Sequence, residues 1–87
     1  METELIHAER LLAGDYRYRL TVRRHIWIFR WKAVFFAAGT TRMTWYNQDL
    51  FRVENMDLAN DLTLLLVRAL ACHQVPPQPS FREPFYA

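Results

Sequence analysis

Cys72 and His73 form the one pairing of a thiol with an imidazole in adjacent positions, the minimum for thiolate chemistry. Neighbours on a helix point about 100° apart and do not face each other, so the pair reads as a buried thiol beside a helix-end histidine. Asp57 and Asp61 share a helix face at i and i+4 and could act as acid and base, but carboxylates in a first helical turn are accounted for by the helix dipole. His7, His25, His73 and Cys72 fit no metal-binding spacing such as C-x-x-C or H-E-x-x-H. Gly14 and Gly39 stand alone, so no glycine-rich phosphate loop forms, and neither G-x-S-x-G nor S-x-x-K occurs. The sequence therefore predicts no catalytic, metal or cofactor-binding residues and a protein that is not an enzyme.

Binding chemistry is better represented. Of eleven basic residues, seven (Arg17, Arg19, Arg23, Arg24, Arg30, Lys32 and Arg42) lie between positions 16 and 48, a stretch without Asp or Glu. Ten of the eleven are arginine, which suits bidentate recognition of carboxylate or phosphate and stacking on rings. Trp27, Phe29, Trp31, Phe35, Phe36, Trp45 and Tyr46 fall in the same segment. Tryptophan, tyrosine and arginine are the types enriched at binding hot spots. The expected partner-binding set is Arg17, Arg19, Arg23, Arg24, Trp27, Arg30, Trp31, Lys32, Arg42 and Trp45.

These residues need elements to hold them. Tyr16, Tyr18, Leu20 and Val22 alternate with Arg17, Arg19, Thr21 and Arg23, the pattern of a half-buried strand. Strand-favouring residues continue from His25 to Ala37, with Trp27, Phe29, Trp31, Ala33 and Phe35 on one side. Arg23-Arg24-His25 marks the joint, either a turn without turn residues or a bend in one long strand. A competing template makes residues 21 to 38 one helix ended by Gly39, and leaves an all-α alternative. Ala38-Gly39-Thr40-Thr41 is a turn leading to a second hairpin arm over residues 42 to 46, and Asn47-Gln48-Asp49 is turn chemistry. Residues 50 to 53 fit a short strand or a helical turn.

Leu5, Ala8 and Leu12 at helical spacing, with Gly14 as a stop, predict a short amphipathic helix over residues 4 to 13. Residues 57 to 73 predict a long helix capped by Asn55 or Asp57, about 25 Å at 1.5 Å per residue. Between Leu62 and Cys72 only Thr63 and Arg68 are polar, so this helix should be buried on more than one side. The expected fold is α+β, a small antiparallel sheet of about three strands with a short N-terminal helix and the long helix packed on one face (αβββα). Residues 1–75 would form the single domain and residues 76–87 a Pro-rich extended arm, with all four prolines in nine positions.

At 87 residues and a net charge of +2 the chain has room for one core, and its one cysteine cannot close an internal disulfide. That composition predicts a reducing, cytoplasmic setting. No run of 18 apolar residues occurs and Met1-Glu2-Thr3-Glu4 lacks a signal peptide's pattern, so no membrane partner is expected. One helix covers one face of a small sheet, which leaves aromatics and arginines for a partner. The leading expectation is a small basic, arginine-rich binding protein, an adaptor or inhibitor of the kind that accessory proteins of mobile elements provide, docking on a larger protein complex through this surface. Self-association as a homodimer would relieve the apolar excess. The alternatives are a nucleic-acid binder using residues 16–48 and a structural subunit of a larger assembly.

Overall fold

A computed structural model of the chain describes residues 2–39 and 42–78. Its elements run β1 (Glu2–Ala13), β2 (Tyr16–Ile26), β3 (Phe29–Ala38), β4 (Thr44–Asn47) and α1 (Met56–Ala71). The strands form one antiparallel sheet in the order β1-β2-β3-β4. The class is α+β as the sequence predicts, with four strands in place of about three, and both the all-α alternative and the helix over 21 to 38 fall away.

The helix expected over residues 4 to 13 is instead β1. Two register shifts, between Leu5 and His7 and between Arg10 and Ala13, explain why it resembles a helix. A bulge adds one residue to a strand, so Leu5 and Ala8, three apart, face the same side opposite Val22 and Leu20. Leu12, the third member of the apparent helical stripe, is exposed. Gly14, with φ +59°, sits in the β1–β2 turn and stops no helix.

Arg23, Arg24 and His25 make neither a joint nor a bend, because β2 runs straight through them. The chain reverses at Trp27-Ile28, a two-residue turn closed by the Ile26–Phe29 pair. Thr40 and Thr41, where the sequence predicts the next turn, lie outside the described residues. After β4, the Asn47 side-chain oxygen accepts from the backbone N–H of Asp49 (2.9 Å) and Phe51 (3.0 Å), which builds the expected turn. Residues 50 to 53 contain one isolated bridge, Arg52 to Tyr46.

Asn55 caps α1, its side chain accepting from the Leu58 N–H at 3.1 Å. Leu62, Leu66 and Ala69 sit in one cluster with Ala8, Leu20, Val22, Phe35, Ala37, Trp45 and Val75. The strand members all lie on one face of the sheet, so α1 packs by a single stripe. It is not buried on several sides, since Leu64 and Val67 are 53% and 55% exposed. Cys72 is exposed at the helix C-terminus instead of buried. Val75 closes the core, Pro76 to Gln78 are exposed, and the rest of the segment expected to form a Pro-rich arm, residues 79–87, lies outside the described residues.

Candidate docking surface

The helix covers only part of its face of the sheet. Alternation along β2 carries the buried Leu20 and Val22 on to Arg24 and Ile26, and pairing carries the buried Phe35 back through Ala33 to Trp31 and Phe29. The core stripe thus runs past α1 onto an arm where Ile26, Phe29 and Trp31 are all exposed. From Ala33 to Phe29 is four residues, about 13 Å of strand at 3.3 Å each. At its apex Trp27 is 95% and Ile28 86% exposed, with Phe29 behind them at 63%.

Trp27 also has φ +56°. Positive φ at the first position of a two-residue hairpin turn belongs to glycine, and a side-chain-bearing residue there costs about 1–2 kcal/mol. No burial of the indole offsets that cost. A bulky apolar residue that is both strained and solvent-exposed does nothing for this fold by itself.

Charge on the arm divides between the two faces. On the helix side the Arg24 guanidinium lies 5.9 Å from the centre of the Trp31 ring, in cation–π contact with its cross-strand partner. On the open side the rows read Glu4–Arg23–Lys32 and Glu2–His25–Arg30 across β1, β2 and β3. β1 therefore supplies an acid beside Arg23 and another beside His25, and the Glu4 carboxylate lies 3.6 Å from the His25 imidazole. Among the described strands Lys32 and Arg30 are paired with Arg23 and His25 alone, because β4 pairs with residues 35–38 of β3 and stops. Further along, the open face covers itself. Glu9 pairs with Arg19, and the rings of Tyr16, Phe36 and Tyr46 stack edge to face at 5.9 and 5.6 Å between centres.

Six of the ten residues expected to bind a partner come together on this arm: Arg23, Arg24, Trp27, Arg30, Trp31 and Lys32. Arg17, at the register shift in β2, and Arg42 lie toward the opposite end, exposed. Arg19 is held by Glu9 with most of its side chain covered. Trp45 is a correction to that set: only 1% exposed, it is a core residue whose indole N–H donates to the Thr63 hydroxyl at 2.9 Å. Ile26, Ile28 and Phe29 are exposed on the same arm and stand outside the expected set. Placing the turn at Trp27-Ile28 would have found them, but neither residue carries a turn signal.

Other chemistry has less to work with. Among the described residues no three His, Cys, Asp or Glu side chains converge as metal ligands, and no helix is long and apolar enough to cross a membrane. A 540 Å³ depression near Arg42, Arg52 and Glu54 is open to solvent. Compared with family models, with curated proteins and with solved structures, the chain matches none.

Proposed function

We propose that this protein is a small non-enzymatic docking module, an adaptor or inhibitor, that seats the distal arm of its β2–β3 hairpin in a larger protein. The observation that carries the reading is the apex, where Trp27, Ile28 and Phe29 project into solvent and Trp27 holds a backbone conformation unfavourable to it. Burying such a side chain against a partner is worth about 1.5–3 kcal/mol, enough for a few of them to anchor an interface. Arg24 stacked on Trp31 and the cations Arg30 and Lys32 would rim the anchor.

A protein partner is favoured over nucleic acid by where the acids lie. The cations of β2 look continuous in the chain, yet Glu2, Glu4 and Glu9 stand beside His25, Arg23 and Arg19 across the open face. Phosphates approaching that face would meet carboxylates as well as guanidinium groups.

The test is affinity capture from the cells that produce the protein, comparing the wild type with a Trp27→Ser/Ile28→Ser/Phe29→Ser variant, before and after nuclease. The three side chains are exposed, so the variant keeps its fold. A protein retained by the wild type, resistant to nuclease and lost by the variant supports the reading. Identical retention by both, or retention that vanishes with nuclease, overturns it.

A further inference from the structure

The backbone of β4 fixes which groups β3 leaves open. The Asn47 N–H donates to the Phe51 carbonyl (2.8 Å) and the Val53 N–H to the Trp45 carbonyl (2.8 Å), so Trp45 and Asn47 turn their backbone groups away from β3. Thr44 and Tyr46 must then turn theirs toward it, where they pair with Ala38 and Phe36. Backbone direction alternates along a strand, so Arg30, Lys32 and Val34 point both N–H and C=O to the same outer side as Phe36. Beyond residue 35 no described strand covers that side. Residues 29–34 thus form an open edge of six residues, about 20 Å, the usual length of one strand.

The sheet also specifies the chemistry of a strand that would fit there. On the open face β1 sets Glu4 against Arg23 and Glu2 against His25. Across β2 the like-charged Arg23 and Lys32 stand opposite each other, a destabilising arrangement unless a further row of acids follows. On the helix face the same edge presents Phe29 and Trp31, both exposed.

We propose that the partner adds an antiparallel strand to the β3 edge at residues 29–34, with acidic side chains opposite Arg30 and Lys32 and apolar ones beside Phe29 and Trp31. This rests on the docking reading and gives it a mode. The sheet becomes continuous through the partner, main-chain hydrogen bonds supply affinity, and the alternation of acid and apolar residues supplies specificity.

The test uses the whole chain and a synthetic seven-residue peptide, blocked at both ends, that alternates valine with glutamate. Residues opposite Arg30, Lys32 and Val34 would form hydrogen-bonded pairs, so the glutamate N–H groups face the protein and the valine N–H groups face away. The peptide should bind and slow amide exchange at Arg30, Lys32 and Val34. N-methylation at the glutamates should weaken it at least about tenfold, whereas N-methylation at the internal valines should leave it within about threefold. The exposed pair Arg30→Glu/Lys32→Glu should lose the glutamate peptide and gain its lysine counterpart. Equal effects of the two methylation patterns, no binding of the parent peptide, or binding unaffected by the charge reversal overturns strand addition. Should any of these occur while the Ser variant still loses its captured protein, docking through the apex stands and only the strand mode falls. Capture unaffected in the Ser variant removes the docking reading itself.

Discussion

Replacing Trp27 by glycine should make the protein more stable while removing the anchor proposed for docking. The magnitude follows from two opposing terms. Relief of the φ +56° conformation is worth about 1–2 kcal/mol, and the extra unfolded-state freedom of glycine costs about 0.5–1 kcal/mol. Packing contributes almost nothing, because the side chain is exposed nearly as fully as in an unfolded chain. The net gain is about 0–1.5 kcal/mol, which for a domain of this size raises Tm by up to about 12 °C. Trp27→Ala serves as the control. Alanine keeps the Cβ that makes positive φ unfavourable, so it should change stability by less than about 0.5 kcal/mol. Urea unfolding followed by the fluorescence of Trp31 and Trp45, with a thermal scan beside it, measures both. A loss of more than about 1 kcal/mol in either variant would refute the reasoning, since it would mean that the indole packs on this chain and is not held out for a partner.

Other substitutions separate core from surface. Leu66→Ala should cost about 2–5 kcal/mol because Leu66 is fully buried beneath the sheet, whereas Leu64→Ala, two residues away on the outer side, should stay within about 1 kcal/mol in chemical denaturation. Asn55→Ala removes the α1 cap and should cost about 1 kcal/mol, readable as a lowered midpoint in the same assay. Gly39→Ala should destabilise clearly more than Gly14→Ala when the two are unfolded in parallel. Both have positive φ, but a Cβ at Gly39 would lie 2.5 Å from the Arg42 carbonyl oxygen, while at Gly14 it meets nothing within 4 Å.

Much of this architecture is legible in the residues, and where it is not the reason is physical. The helix declares itself through its apolar repeat and Asn55, and β2 through alternation unbroken from Tyr16 to Arg23. β1 hides because two bulges break its period of two, and the spacing that remains between Leu5 and Ala8 is that of a helix. The reversal at Trp27-Ile28 hides because pairing of the arms imposes on Trp27 a positive φ that its side chain does not favour. The site divides in the same way. The basic, aromatic composition of the arm is visible in the chain, but residue type alone does not separate Trp27 at the apex from Trp45 in the core. Nor does it show that Arg19 is taken by Glu9, because that contact forms only once β1 folds back on β2.

The central claim is that the apex of the β2–β3 hairpin meets another protein. Site-specific photo-crosslinking tests it most directly, with benzoylphenylalanine placed at Ile28 and, as the control, at the exposed Gln48 in the loop after β4. Irradiation in the producing cells should give a protein adduct of defined mass from position 28 and none from position 48. Adducts of equal yield from both positions, or an adduct at position 28 that nuclease digests, would contradict it.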